Sequence, residues 1–328
     1  MNKIRWGILS TANIAAERLI PAIKKSPYAE LAAVASRDHS KAQAFAQRHG
    51  IPKVEASYEA LLQSPDVDAI YNPLPNHLHV PLSVQAVEAG KHVLCEKPLG
   101  LDAGDIAPLL NAADKNPALL VMEAFMYRFH PQWIKIRELI GEGVFGEIQA
   151  VQASFTYFNR DPANVRHQQN MGGGALLDIG CYCVSASRFI FGREPRSVAA
   201  HWDIDPDFKV DRHMGATLDF APGTATFYVS TQSDSSQSVK IFGEKASALI
   251  ENPFYSRGVP ARIILRRDSD DEIIEIPDSD HYLDQINAFC RAALNGEAVP
   301  TPLADALANM KTLDALQKAA GSRRWESL

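Results

Sequence analysis

Two stretches of this chain carry more reactive side chains than packing requires. The first is Glu96-Lys97-Pro98, directly after the apolar run HVLC at 92–95. The second is GGGALLDIGCYC, Gly172 to Cys183, which sets Asp178, Cys181, Tyr182 and Cys183 behind three glycines at the start of a helical pattern. A phenol has an ordinary pKa of about 10, and a nearby ammonium favours the phenolate. A tyrosine such as Tyr182, with a cation beside it, can therefore take a proton from a hydroxyl or return it. Asp178 stands four residues before Tyr182, a spacing that puts both on one helix face. That carboxylate suits orienting substrate hydroxyls or pairing with Lys97, and equally suits a helix amino end. The three glycines let backbone pass close to a bound molecule. Cys181 and Cys183 face different ways, lack the C-x-x-C spacing and have no histidine set beside them. They read as packed small hydrophobes, and no metal site is expected.

Elements with two different periods must position these residues. Up to about residue 120, short apolar runs (4–9, 31–35, 67–71, 92–95, 119–122) alternate with amphipathic helical stretches (14–25, 40–49, 57–63, 78–89, 103–115). This is the pattern of a doubly wound α/β domain with a parallel sheet, whose ligands bind beyond the carboxyl ends of the strands. After a helix at 131–140 the pattern changes to an alternating strand at 148–158 and, past the glycine helix, to strand-like runs between 196 and 276. Those predict an α+β domain on an open, mainly antiparallel sheet. Helices at 281–295 and 302–320 close the chain. The expected division is 1–123 for dinucleotide binding and 124–328 for substrate binding and oligomerisation, with the last helix free to return to the first domain.

The 328 residues carry a formal charge of -6, which argues against a nucleic-acid partner. No run of eighteen apolar residues occurs and the amino terminus does not read as a signal peptide, so no membrane span and a cytoplasmic location are expected. Four cysteines make no disulfide framework.

The turn after the first strand, Ser10-Thr11-Ala12-Asn13-Ile14-Ala15, sits where a dinucleotide site would have G-x-G-x-x-G/A, and only Ala15 of that pattern survives. Ser10 and Thr11 offer hydroxyls to phosphate, and Ala12 is small enough for close approach. The second strand ends in Ser36-Arg37 where an NAD site presents an acid to the ribose. A guanidinium fits a 2′-phosphate, so NADP is the expected cofactor, with NAD as the alternative. Asn72, Pro73, Asn76, His77 and His79 follow the next strand, and Glu96 and Lys97 the one after. All seven fall where such a sheet gathers its cofactor.

With these residues in view the chain resembles the glucose–fructose oxidoreductase/inositol dehydrogenase/MocA family. The resemblance rests on GILSTANIA (7–15), Glu96-Lys97-Pro98, EAFMYRFHPQ (123–132) and GGGALLDIGCY (172–182). Tyr182 stands where many members have histidine, which makes the chain look most like the branch of dimeric dihydrodiol dehydrogenases and NADP-dependent D-xylose 1-dehydrogenases. The resemblance implies a Rossmann domain, a sheet-paired homodimer or tetramer, and hydride exchange with a small sugar or cyclic polyol. A D-xylose-like aldose is the first substrate expectation and a trans-dihydrodiol the second. It further implies that Lys97 acts with Tyr182 and that the segment 125–130 lies near the substrate. Phe125, Tyr127, Arg128, Phe155 and Arg160 are accordingly expected to line the substrate pocket, with Asp178 and Tyr182.

Overall fold

In the computed structural model, residues 2–255, 260–268 and 270–328 are described. The chain forms two units: Met1–Met126 with Asp280–Leu307, and Tyr127–Ser279 with Ala308–Leu328.

The first unit is built on strands β1 (Ile4–Leu9), β2 (Ala29–Ala35), β3 (Lys53–Val54), β4 (Ala69–Asn72), β5 (His92–Cys95) and β6 (Val121–Glu123). They pair in the order β3-β2-β1-β4-β5-β6, all parallel. This is the order of a doubly wound dinucleotide fold, with its switch point beside β1. The strands form because their apolar runs are unbroken and both sheet faces are covered; β4 is buried along its whole length. Helices α1 (Ile20–Lys25), α2 (His39–His49), α3 (Tyr58–Gln63), α4 (His79–Glu88) and α5 (Ala107–Lys115) connect them. Their limits follow from local chemistry. Asp38 accepts from the Lys41 N–H to open α2, Ser57 accepts from the Ala60 N–H to open α3, and Gly50 closes α2 in the left-handed conformation.

The second unit holds helices α6 (Pro131–Gly141) and α7 (Cys181–Phe191) against a nine-stranded sheet. Its strands are β7 (Ile148–Phe158), β8 (Ser197–Ile204), β9 (Asp211–Asp219), β10 (Thr224–Ser230), β11 (Gln232–Gly243), β12 (Ser247–Ile250), β13 (Ala261–Arg267), β14 (Asp270–Ile276) and β15 (Glu326–Ser327). The order is β14-β13-β12-β11-β7-β10-β9-β8-β15. Among the described strands of this sheet only β7 and β10 pair in parallel, so the sheet is mainly antiparallel. The helical run Gln169–Phe191 is apolar and long enough to cross a membrane, yet 89% of its most apolar window is buried within the protein. It is the core helix of this unit. Arg188 on it is buried and forks onto Glu194 through two hydrogen bonds of 2.6 and 2.7 Å, as a buried guanidinium requires.

Helix α8 (His281–Asn295) belongs to the first unit, although a contiguous second domain running to 328 was the expectation. The reason is its apolar face: the Phe289 ring meets the fully buried Trp6 of β1 at 5.3 Å and stands edge-on to His92 at 6.4 Å. Asn287 accepts from the Ser26 hydroxyl at 2.7 Å, and the helix cap Asp280 pairs with Lys25. Helix α9 (Leu303–Ser322) begins in the first unit and runs into the second. Phe289→Ala is expected to cost about 3–5 kcal/mol through the cavity it opens. Urea unfolding checks this; a loss under about 1 kcal/mol would show that α8 does not anchor the sheet.

Candidate active site

At the end of β1 the chain turns at Ser10, which adopts φ +75°, a conformation natural to glycine. Its N–H donates to the Ala35 carbonyl at 2.8 Å, and its Oγ accepts from the Ala12 N–H at 3.3 Å. The serine thus makes the turn that a first signature glycine would make, at a conformational cost its own hydroxyl partly offsets. The Ala12 carbonyl accepts from Ala16, so the helical run through Ala15–Leu19 into α1 begins here. Ala12 is not in the left-handed region and the buried Ala15 packs the helix onto the sheet. Thr11, Ala12 and Ile14 stay half-exposed and Asn13 exposed, so the free N–H groups of the first turn face a space an anion can reach.

Arg37, exposed beyond β2, meets the Tyr58 hydroxyl through both its backbone and its guanidinium. Burial pushes the Tyr58 hydroxyl above its ordinary value and Arg37 opposes it. Ser36 Oγ accepts from the Asp38 N–H at 3.4 Å. No carboxylate occupies position 36 or 37, and these donors fit a phosphate rather than a free ribose hydroxyl.

The turns after β4 and β5 are tied to one another by buried side chains. Asn72 donates to the His79 carbonyl (3.0 Å) and the Ser83 hydroxyl (3.2 Å) and accepts from the Leu74 N–H (3.3 Å). His79 is buried, with Nδ1 2.7 Å from the Pro98 carbonyl and Nε2 2.6 Å from the Leu74 carbonyl. Both residues, expected on the cofactor, bond to buried backbone, where a carbonyl without a donor is costly. Pro73 is buried, whereas Asn76 and His77 are half-exposed on the short helix Asn76–Leu78. The Glu96 carboxylate accepts from the Tyr71 hydroxyl at 2.6 Å, and Glu123 from the Leu99 N–H at 2.8 Å. Between these ties sits the half-buried Lys97, whose peptide to Pro98 is cis.

In the second unit two of the three glycines sit where a side chain has no room. A Cβ at Gly173 would lie 2.5 Å from the Arg166 carbonyl oxygen, and one at Gly174 (φ +113°) would overlap the Asp211 carboxylate. Asp211 Oδ2 accepts from the Leu176 N–H at 2.7 Å, so it is Asp211, not Asp178, that stabilises this helix amino end. Burial pushes the Asp211 carboxyl up to about 7, against the helix N–H groups and with help from nearby Asp178.

Asp178 is buried within the π-helical turn Leu176–Gly180. Oδ2 accepts from the Tyr157 hydroxyl at 2.6 Å, and Oδ1 pairs with Arg166 Nε at 2.8 Å. The Asp178 charge lifts Arg166 above its ordinary value; burial first, then Asp178, pushes the Tyr157 hydroxyl up, so that phenol stays protonated. Tyr182, two residues past the π turn, is buried with its ring among Tyr127 (5.8 Å), Phe155 (5.6 Å), Phe254 (5.3 Å) and Tyr255 (6.5 Å). Tyr255 also acts electrostatically on Tyr157 and Arg166, which joins Tyr182 and Asp178 to one polar–aromatic cluster.

Of the expected pocket residues, Tyr127 and Phe155 lie against the Tyr182 ring, and each has further partners. Phe125 is buried in the first unit. The Tyr127 hydroxyl meets Ser185 Oγ at 2.7 Å, and Arg128 donates to the same oxygen at 2.7 Å while lying over the Phe189 ring. Phe155 stacks on Phe254 at 5.2 Å, and Arg160 is drawn outward to Asp207 at 2.8 Å. All four cysteines are free and buried, and burial raises the Cys183 thiol. Among the described residues no cluster of three or more His, Cys, Asp or Glu could hold a metal. Arg166, Asp211, Tyr255 and Tyr58 carried no local sequence signal.

Two family models match the chain: an oxidoreductase-family NAD-binding Rossmann fold over residues 4–124 and the GFO/IDH/MocA C-terminal domain over residues 133–249. The chain belongs to the GFO/IDH/MocA oxidoreductase family, and is an NAD(P)-dependent oxidoreductase. It is similar to an uncharacterized oxidoreductase of Rhizobium meliloti, 40% identical with 100% of both chains covered. It is also similar to a D-xylose 1-dehydrogenase (NADP(+)) of Haloferax volcanii, 35% identical over 96% of this chain and 97% of that one. Among solved structures, a 3-ketoreductase from Actinomadura kijaniata in complex with NADP and TDP-benzene superposes with a TM-score of 0.91 at 33% identity, covering 97% of this chain and 98% of that one.

Asp211 yields a pH prediction. Its folded-state value of about 7 lies above the ordinary 3.8, so the stability it contributes is fully present below about 3.8 and is lost as pH rises through about 7. Asp211→Asn is expected to flatten that decline, measured by urea unfolding across this range; a variant whose stability falls as steeply as the parent's would contradict it.

Proposed function

We propose that the chain is an NADP-dependent sugar dehydrogenase or reductase in which Tyr182 exchanges the substrate hydroxyl's proton and Lys97 favours its phenolate. The observation that carries the reading is the fixing of these two groups. Lys97 sits on a turn held by Glu96, His79 and Glu123, and Tyr182 is seated in a ring cluster beside the Asp178 network. A proton-transfer group gains most when its geometry is set beforehand. Asp178, neutralised by Arg166, is a hydrogen-bond acceptor suited to orienting a sugar hydroxyl.

Bound nicotinamide would supply the hydride chemistry. The residues present fit a phosphorylated dinucleotide: the exposed helix turn at Thr11–Ile14 offers N–H donors to the pyrophosphate, and Arg37 with Ser36 offers a cation and a hydroxyl to a 2′-phosphate. The NADP named for both the Haloferax enzyme and the Actinomadura structure supports this choice.

For substrate, an aldose oxidised at its first carbon is the primary reading, supported by the likeness to the D-xylose 1-dehydrogenase over nearly the whole chain. A keto group at the third carbon of a sugar nucleotide is the second, favoured by the backbone likeness to the 3-ketoreductase. A trans-dihydrodiol is the third, supported by the likeness to a trans-1,2-dihydrobenzene-1,2-diol dehydrogenase of Xenopus tropicalis, 37% identical over 66% of this chain. A screen of NADP+ and NAD+ reduction with aldoses, inositols and dihydrodiols, and of NADPH oxidation with a keto-sugar nucleotide, separates these readings. Lys97→Met and Tyr182→Phe are each expected to lower kcat by about 100-fold or more. Unchanged rates would remove the acid–base assignment, and a preference for NAD of about tenfold, or 1.4 kcal/mol, would reverse the role given to Arg37.

A further inference from the structure

The turn that presents Lys97 has no secondary structure of its own. It leaves β5 at Cys95, and its shape depends on what its backbone carbonyls and amides find nearby. Its backbone is held by the Glu96 N–H on the Asn72 carbonyl at 3.0 Å, the Leu99 N–H on Glu123 at 2.8 Å, and the Pro98 carbonyl against His79 Nδ1 at 2.7 Å. Only the last falls on the residue following Lys97. His79 is the first residue of α4, and its own carbonyl is fixed by Asn72, so the ring is a rigid mount.

We propose that His79 is a positioning residue for Lys97, its Nδ1–H donating to the Pro98 carbonyl and so fixing where the ammonium points. Two carbonyls face the ring, and a neutral imidazole carries one N–H. Burial, with further push from Lys97 and His77, brings His79 down to about 4, so at neutral pH it has one proton to place. The proposal places it on Nδ1, where it holds the turn of Lys97; the Leu74 turn keeps a separate tie, its N–H donating to Asn72.

The proposal rests on the reading of Lys97 as a participant in the reaction, and the test separates the two. Asparagine at position 79 places an amide N–H near the Nδ1 site, and glutamine near the Nε2 site. With saturating cofactor, His79→Ala and His79→Gln are expected to lower kcat about 10- to 100-fold with both KM values changed less than about threefold, while His79→Asn stays within about threefold of the parent. Glutamine rescuing as well as asparagine, or a loss confined to the KM for NADP, would overturn the proposal. Lys97→Ala runs alongside: unchanged kcat there sinks the reading of Lys97 and the proposal with it, whereas a large loss there with active His79→Gln sinks the proposal alone. If the variants fail to fold, nitrogen NMR of the wild-type His79 ring decides: protonated Nδ1 supports the proposal and protonated Nε2 refutes it.

Discussion

The helix that carries Asp178 and Tyr182 starts where a carboxylate fills the space that a side chain would need. Asp211 reaches from β9 to the Leu176 N–H, and it can do so because position 174 has no Cβ. That one constraint fixes the helix amino end, and through it the π turn in which Asp178 meets Arg166 and Tyr157. A widened turn of this kind is common at functional sites because it moves a side chain off the regular helical face. The result is a carboxylate already charge-balanced and hydrogen-bonded, four residues before a phenol whose ring is locked by aromatic neighbours.

The first unit solves the same problem by the same means. Its reactive lysine sits on an irregular turn, and irregular backbone inside a protein must have its polar groups matched. Tyr71, Asn72, His79 and Glu123 provide the matching partners from β4, α4 and β6. Each is buried and polar, which would be destabilising without a partner and is specific with one. Polar residues clustered at strand ends therefore divide into two kinds: those that touch a ligand and those that hold the ones that do.

That division explains what could be read in advance. The parallel sheet was legible because buried strands are unbroken apolar runs, and the limits of α2, α3 and α8 because Asp38, Ser57 and Asp280 are local caps. The two-residue β3 and β15 were not, since an element of two residues has no period. The candidates Glu96, Lys97, Asp178 and Tyr182 stood out by residue type and place. Their supports did not: Asp211 lies 35 residues from Leu176 and Glu123 lies 24 from Leu99, distances no local pattern spans. The same holds for Asn72 and His79, expected as ligand contacts, and for Tyr127, Arg128 and Phe155, expected as pocket walls. Their partners Ser83, Pro98, Ser185 and Phe254 are neighbours only after folding. The altered glycine motif carried a different lesson, for Ser10 adopts the glycine conformation and supplies a hydrogen bond in return.

The central claim is that Lys97 and Tyr182 serve a single proton transfer. A double-mutant cycle on kcat/KM, with Lys97→Met, Tyr182→Phe and the combined variant, measures it most directly. Groups acting as a unit give a double variant about as impaired as the worse single one, which is the result expected here. Losses that multiply, so that the two logarithmic effects simply add, would show two independent residues and contradict the account.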